Sequence, residues 1–276
     1  MMMTSPSRYR SQDTFEHRTI EQSVVQRLQE AITQGHLVPG QKLVYSEIAD
    51  EMNVSVTPVR EAVKTLEALG LVTIRPHRTA FVSYLTEDQV EQLYALRTLL
   101  EGLATQRTVE RITPDQISHL TQVYGEMDRV VETLNRVIND VVRSEGIVSL
   151  QHLHNDFHSS LYASCGNEYL IQTIGLLRSQ VATYWPVINR YSIERVNKSH
   201  RQHFDILTAC EQKQATLASE LMQSHLQGTV PWIIEHIRTD HQQDGVSGGT
   251  GVRGVINARN RYLRQEVRGA GAGNES

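Results

Sequence analysis

Apolar residues recur at helical spacing in two short segments near the N-terminus, and a run of small and polar residues separates them. The first segment, Ser46–Met52, places its apolar side chains on one face, and the pattern stops at Asn53. In the second segment the apolar residues recur every three or four positions, which predicts a helix with one buried face. These residues are Val59, Val63, Leu66 and Leu69. Two short helices joined by a tight corner are typical of a helix-turn-helix.

The polar residues of the second helix are concentrated at its N-terminal end. We expect Thr57 to cap the helix and Pro58 to be its first residue, where a missing N–H costs nothing. A recognition helix presents this arrangement to the major groove of DNA. An ordinary helical hairpin with a solvated face is the alternative. The predicted outward-facing residues are Ser55, Thr57, Arg60, Glu61 and Lys64.

A hairpin is predicted directly after this helix. Two β-prone runs, residues 71–74 and 80–83, flank a basic turn. A helix-turn-helix followed by such a hairpin is a winged helix. We therefore expect His77, Arg78 and Thr79 to lie at the tip of the wing, near phosphates or a minor groove.

This N-terminal block resembles the DNA-binding domain of the GntR family of bacterial transcription regulators. The matching residues are the turn Gly35, Leu37, Pro39 and Gly40, the run Val54–Ala62, and the closing Gly70–Val72. The chain departs from the family pattern at Val56, where the family usually has Arg, and at Thr79, where it usually has Gly. Because the lost Arg removes a candidate base contact, the resemblance implies an altered operator sequence, with a greater role for Arg60 and Arg78.

The pattern of apolar, polar and glycine residues along the chain predicts a mostly α-helical protein with four regions. Residues 1–17 are expected to be a disordered arm and residues 18–84 the winged helix. Residues 86–240 are predicted to form an all-helical bundle of six or seven helices. The last region, 241–276, holds eight of the 17 glycines and is expected to be a disordered tail. Five later helices are predicted near Asp115–Val142, Ser149–Ser164, Glu168–Tyr184, Ile193–Gln212 and Ala215–Arg238.

Composition narrows the class of protein further. No apolar run is long enough to span a membrane, and residues 1–17 lack the apolar core of a signal peptide, so we expect a cytoplasmic protein. Two cysteines are too few for a disulfide framework. The net charge of −4 argues mildly against nucleic-acid binding. Phosphate affinity depends on local charge, however, and four basic residues are grouped on the predicted helix and wing. These are Arg60, Lys64, Arg75 and Arg78.

The helical region resembles the FCD ligand-binding domain of the FadR subfamily of GntR regulators. The residues that carry this resemblance are Arg97, Leu100, Glu101, Phe157, His158, Gly166, Asn167, Leu170, His203, Ile206, Leu207, Ala218, His225 and Leu226. The combined GntR and FCD resemblance covers roughly residues 20–235. It implies a homodimer that binds a palindromic double-stranded DNA operator.

Four histidines of this region are candidate metal ligands. His154 and His158 are four residues apart, which puts both imidazoles on one helix face. In many FCD domains the corresponding positions are an Asp and three His that hold a divalent metal. By that resemblance His154 replaces the Asp, and the other ligands are His158, His203 and His225. Imidazole ligands favour Zn, Ni, Cu or Fe(II) over Mg or Ca. The alternative is that these are satisfied or solvated histidines.

Because metal ligands must be deprotonated, metal affinity is expected to fall as the pH drops through the imidazole range near ~6.5. The leading hypothesis for function is a transcription factor whose operator affinity responds to a small carboxylate bound beside the metal. Arg97 and Arg178 are candidate carboxylate clamps, since guanidinium matches a carboxylate bidentately. The alternative is that each of these arginines lies on the surface or forms an ion pair within the protein.

Two other functions remain open. The histidines of a metalloenzyme would activate water, but no carboxylate is obviously placed as a general base, and the winged helix would be unexplained. We therefore expect a protein that is not an enzyme. In the third hypothesis the chain is a constitutive DNA-binding protein whose helical domain only dimerises.

Overall fold

The computed structural model describes residues 19–75, 79–184 and 192–246. The predicted arm, the wing-tip residues His77 and Arg78, and the part of the predicted tail after Val246 lie outside the described residues. The N-terminal domain contains α1 (Ile20–Thr33), β1 (Lys42–Leu43), α2 (Tyr45–Met52), α3 (Val56–Ala68), β2 (Val72–Arg75) and β3 (Thr79–Val82).

The corner between α2 and α3 is built on Asn53, whose φ of 52° places it in the left-handed region that asparagine tolerates. The chain has therefore turned before Ser55, which is extended and serves as the N-cap of α3. The prediction that Thr57 caps this helix was wrong by two residues. Pro58 lies at the third helical position, where its missing N–H still breaks no intrahelical hydrogen bond.

The wing is part of a three-stranded antiparallel sheet in the order β1-β3-β2. The predicted hairpin is present as β2 and β3, and Arg75 pairs with Thr79 next to the connection between the strands. Strand β1 was not predicted, because two residues are too few to show an alternating pattern. It pairs with β3, with Lys42 opposite Phe81. The sheet and three helices enclose a small core that includes the fully buried residues Ile32, Val59, Val63, Leu66 and Leu71.

Long helices make up the second domain. They are α4 (Glu87–Val109), α5 (Pro114–Arg136), α6 (Asp140–Ala163), α7 (Glu168–Val181), α8 (Ile193–Glu211), α9 (Ala215–Gln227) and α10 (Val230–Val246). Capping boxes at Thr86 with Gln89 and at Thr113 with Gln116 fix the starts of α4 and α5. The mostly α fold, a winged helix followed by a helical bundle, is confirmed.

Several helix boundaries differ from the prediction. Helix α5 ends at Arg136 because Val137 is extended, and Asn139 then caps α6 by accepting hydrogen bonds from two backbone N–H groups. The predicted helix 215–238 is two helices, since Pro231 has no N–H with which to continue the ladder of α9. Helix α10 extends to Val246, past the predicted domain end at residue 240.

Polar contacts join the two domains. The Gln151 side chain on α6 donates from Nε2 to the carbonyl of Thr33, at the end of α1, over 2.5 Å. The Ser179 hydroxyl on α7, which donates to the Leu176 carbonyl of its own helix at 2.7 Å, lies 3.4 Å from the carbonyl of Leu69, just after α3. The helical domain thus contacts the C-terminal ends of α1 and α3. None of the described helices has the length and hydropathy to cross a membrane.

Candidate metal and ligand site

Four histidines meet inside the helical bundle. Helix α6 supplies His154 and His158, α8 supplies His203, and α9 supplies His225. One ring nitrogen from each lies within 4.8 Å of the others. His158 Nε2 and His203 Nε2 are 3.1 Å apart. Two nitrogens bound to one zinc ion at about 2.0–2.1 Å would be separated by roughly 3.0–3.4 Å, so the spacing fits shared coordination.

The surroundings of this cluster favour neutral imidazoles. Desolvation inside the bundle is the largest cause that lowers the pKa of all four histidines, and it brings the pKa of His203 to about 3. Neighbouring arginines lower these pKa values further, because a positive charge opposes protonation. Neutral imidazole is the form that binds a metal ion.

Outer partners orient two of the imidazoles. The Tyr162 hydroxyl donates to Glu101 Oε2 at 2.5 Å, so it accepts a hydrogen bond from His158 Nδ1 at 2.9 Å. His225 Nδ1 donates to Gln202 Oε1 at 3.1 Å. In both rings the proton on Nδ1 leaves the lone pair on Nε2. Partners of this kind fix the tautomer of metal-binding histidines.

Of the two arginines predicted as carboxylate clamps, Arg97 is held in an ion pair. Arg97 Nε donates to Glu101 Oε1 at 2.6 Å, and both side chains are buried. Burial opposes the charge of Arg97, but Glu101 overcomes it and raises the pKa of the guanidinium above its usual value. The charge of Arg97 is therefore already balanced. Glu101 supplies this balancing charge. The sequence analysis named Glu101 among the residues that resemble the FCD domain, but not among the candidate metal or effector ligands.

One cavity adjoins the histidine cluster and includes both predicted arginines. Arg178 Nη2 donates to Asn155 Oδ1 at 3.1 Å, and its guanidinium lies over the Tyr162 ring at 5.9 Å from the ring centre. Burial lowers the pKa of Arg178. The cavity lining includes Tyr94, Arg97, Gln151, His154, Asn155, His158, Arg178, Arg195, His225 and Thr229.

Two polar residues of this cavity were missed by the sequence analysis. Arg195 is 6% exposed and lies on α8, eight residues before His203. That spacing keeps it on the same half of the helix, which was the available signal. Gln151 is 3% exposed, and its Oε1 atom accepts no hydrogen bond within the described residues. Nothing local to its sequence indicates a role.

The exposed side of α3 carries the predicted DNA-binding residues. Ser55, Thr57, Arg60 and Lys64 are all exposed. Lys64 Nζ binds both carboxylate oxygens of Glu61, at 2.9 and 3.1 Å. Arg60 makes no hydrogen bond or ion pair to any part of the chain that the structure describes.

On the wing, the guanidinium of Arg75 stacks on Phe81 at 4.6 Å from the ring centre. Thr79 begins β3 opposite Arg75. This contact holds a cation at the end of β2, next to the connection between the strands, and the predicted tip residues His77 and Arg78 lie outside the described residues.

The molecule therefore combines a winged helix, whose recognition-helix face is exposed, with a helical domain that encloses a histidine-lined cavity. Family models match both parts: the bacterial regulatory proteins of the gntR family over residues 20–82, and the FCD domain over residues 92–228. The chain belongs to the GntR family of transcriptional regulators, in the group with an FCD domain.

Similar proteins agree with this assignment. The Nta operon transcriptional regulator of Aminobacter aminovorans is 26% identical over 204 residues, which cover 74% of this chain and 89% of that protein. The HTH-type transcriptional repressor GlaR of Escherichia coli is 26% identical over 211 residues, 75% of this chain and 92% of its own. The solved structure of E. coli McbR/YncC has the same fold, with a TM-score of 0.68 and 18% identity over 80% of this chain and 99% of that one.

Proposed function

We propose that the protein is a metal-containing transcriptional regulator whose affinity for an operator changes when a small carboxylate binds in the cavity of the helical domain. The observation that carries this proposal is the cavity itself. It is lined by three histidines of the cluster, by Arg178 and Arg195, which form no ion pair with a described carboxylate, and by a glutamine that contacts the DNA-binding domain.

The proposed metal ligands are His154, His158, His203 and His225. Their neutral charge, their mutual spacing and the outer contacts of His158 and His225 all suit a divalent transition ion such as Zn, Ni or Fe(II). When bound, such an ion would supply an electron-pair acceptor and positive charge that four neutral imidazoles do not offset.

The remaining charges of the cavity favour an anion. Glu101 balances Arg97, but within the described residues no carboxylate forms an ion pair with Arg178 or Arg195. Buried charges without partners are costly, and a bound carboxylate would compensate them with bidentate hydrogen bonds. A carboxylate effector therefore suits this cavity better than a neutral or cationic one.

Gln151 gives the cavity a route to the DNA-binding domain. Its Nε2 holds the end of α1 through Thr33, while the same side chain lines the cavity. An effector that moved Gln151 would shift the position of α1 and, with it, the packed recognition helix. Coupling between effector and operator is reciprocal and is typically about 1–3 kcal/mol.

DNA binding is assigned to Ser55, Thr57, Arg60, Lys64 and Thr79, together with the wing tip at His77 and Arg78. A single winged helix buries too little DNA surface for tight specific binding, so we infer a homodimer on a palindromic operator. Helix α4 supports this with an exposed apolar stripe at Leu96, Leu99 and Leu103, which are 51%, 67% and 44% exposed. Light scattering that gave 31.3 kDa, the mass of one copy, would contradict the dimer.

Repression is the inferred direction of control, since the relative GlaR is named a repressor. A regulator that binds bacterial operators acts in the cytoplasm, and we infer that location. The metalloenzyme alternative is weakened by Glu101. Its carboxylate lies 3.9 Å from His158 Nδ1 but is already engaged by Arg97 and Tyr162 and is not free to act as a general base.

The proposal is tested by replacing His203 and His225 together with alanine. We expect the variant to lose bound metal by elemental analysis, to melt at a lower temperature than the zinc-loaded parent, and to lose its operator response to carboxylates. The exposed His119→Ala variant is the control and should keep all three properties. Unchanged metal content would overturn the metal site. Lost metal with an intact response would place the effector elsewhere and leave the metal a structural role.

A further inference from the structure

Arg195 is a buried cation that forms no ion pair with a carboxylate among the described residues, and its guanidinium lies 5.9 Å from the centre of the Trp232 ring. It is 6% exposed, and its Nε atom is buried without an acceptor among the described residues. Its contact to the Thr229 hydroxyl, from Nη2, is 3.5 Å long. That hydroxyl donates its own proton to the carbonyl of His225. Its oxygen is thus an acceptor for Arg195, but an uncharged and distant one.

The environment of Arg195 contrasts with that of Arg97 in the same cavity. Glu101 raises the pKa of Arg97, whereas burial lowers the pKa of Arg195 to about 10, and the group that opposes this effect is the phenol of Tyr94 and not a carboxylate. The segment 185–191, which precedes α8 and lies outside the described residues, contains no Asp or Glu. Glu194, the residue directly before Arg195, is exposed and forms no ion pair with it. A buried charge without a partner is strongly destabilising in proteins.

We infer that Arg195 is a second anion subsite, and that the effector is a dicarboxylate with one carboxylate directed at the histidine cluster and the other at Arg195. This inference rests on the proposed function. Arg195 and His225 line the same cavity, and Thr229, the contact of Arg195, follows His225 by one helical turn. This chain of contacts brings the two sites close together and suits a short dicarboxylate, in which only a few carbon atoms separate the two carboxylates.

A monocarboxylate would leave this subsite empty. It would satisfy the cluster and Arg178 but would keep the Arg195 guanidinium buried and unpaired. A hydrogen bond to a charged group contributes about 1.5–3 kcal/mol, which corresponds to roughly 10- to 100-fold in affinity. The structure therefore favours four- and five-carbon dicarboxylates over monocarboxylates of equal length.

The test measures binding of succinate and butyrate to the full-length, zinc-loaded protein by calorimetry. Both probes have four carbons, and only succinate has the second carboxylate. We expect the parent to bind succinate at least about tenfold more tightly than butyrate. The Arg195→Gln variant should lose that preference and keep its butyrate affinity and its zinc. Arg201→Gln, an exposed arginine on the same helix, is the matched control and should behave as the parent.

A second measurement separates ligand binding from a structural role. Arg195→Met keeps the length of the side chain and removes its charge, so the ligand-free variant should melt at or above the temperature of the parent. A lower melting temperature, or equal affinity of the parent for both probes, would overturn the dicarboxylate subsite while the proposed function stands. If neither probe binds the zinc-loaded parent, the carboxylate-responsive function fails as well.

Discussion

At the residue scale, one cavity contains bases that must stay neutral and cations that must stay charged. The bundle keeps the imidazoles of the cluster uncharged by desolvation, and it keeps Arg97 charged through Glu101. Tyr162 links the two sets, because its hydroxyl bridges Glu101 and His158. Burial and the adjacent carboxylate raise the pKa of Tyr162 well above its usual value, so this hydroxyl remains a donor.

The lowered histidine pKa values predict how the stability of the metal-free protein depends on pH. An unfolded imidazole titrates near ~6.5, whereas His203 in the folded protein has a pKa of about 3. Between these values the unfolded state binds more protons. The free energy of unfolding should therefore be fully retained above about pH 6.5 and should fall progressively as the pH is lowered towards about 3. Thermal melts across this range provide the measurement.

The same burial corrects the expected pH dependence of metal binding. The folded site is already deprotonated near pH 6, so zinc should bind there with release of far fewer than four protons. Calorimetry in two buffers of different ionisation enthalpy measures this number. Release of several protons per ion would show that the imidazoles are charged in the folded protein.

The double variant His203→Ala, His225→Ala removes two of the histidines with lowered pKa values. Its thermal melts should show a smaller loss of stability in acid than those of the metal-free parent.

At the scale of single elements, helix α6 connects several parts of the molecule. Gln151, His154, His158 and Tyr162 follow one another at intervals of three or four residues and so lie on one stripe of the helix. Along that stripe the side chains contact, in order, the DNA-binding domain, the histidine cluster and the carboxylate of Glu101. A shift of this one helix would therefore be felt at both the cluster and the domain contact.

Helix α3 allows base contacts and phosphate contacts to be separated. Arg60→Ala should weaken binding to the specific operator by about 1–3 kcal/mol per half-site, since Arg60 is exposed and has no partner among the described residues. Lys64→Ala should weaken all sequences alike and reduce the salt dependence, because its pair with Glu61 is exposed and contributes little. Binding isotherms on an operator selected from random DNA measure both effects. An Arg60→Ala isotherm equal to that of the parent at fixed salt would exclude the base contact.

At the scale of the whole molecule, regulation requires that the cavity and the winged helix be parts of one mechanical unit. Gln151 contacts α1 from inside the cavity, and Ser179 contacts the end of α3 from a neighbouring helix. Two separate helices of the helical domain thus contact the ends of α1 and α3. Under the proposed function, a change in cavity occupancy would reach the recognition helix through these contacts.

Replacing Gln151 with leucine should uncouple the two domains. The variant loses the hydrogen bond to Thr33 but keeps the bulk of the side chain, so we expect succinate to bind within a few-fold of the parent while its effect on operator affinity is largely lost. The change in coupling is bounded by the typical range of about 1–3 kcal/mol. Operator titrations with and without succinate measure it, and exposed Gln122→Leu is the control. A full operator response in Gln151→Leu would show that coupling takes another route.

The sequence by itself determined the features that depend on neighbours along the chain. The helical periodicity of α3, the capping box at Thr86 and the four-residue spacing of His154 and His158 are each encoded within a few residues, because helical hydrogen bonds and caps are local. Resemblance to a family then paired these histidines with two others on later helices, and the structure brings all four together.

Only the tertiary structure decided the roles that depend on residues far apart. Arg195 and Thr229 are 34 positions apart, and Gln151 and Thr33 are 118 apart, so neither contact leaves a local signal. Strand β1 exists only because β3 is beside it. The pairing of buried charges also depends on the tertiary structure, because the fold decides which carboxylate, if any, lies next to an arginine. In the folded chain Arg97 forms an ion pair with Glu101, whereas Arg195 forms none with a carboxylate among the described residues.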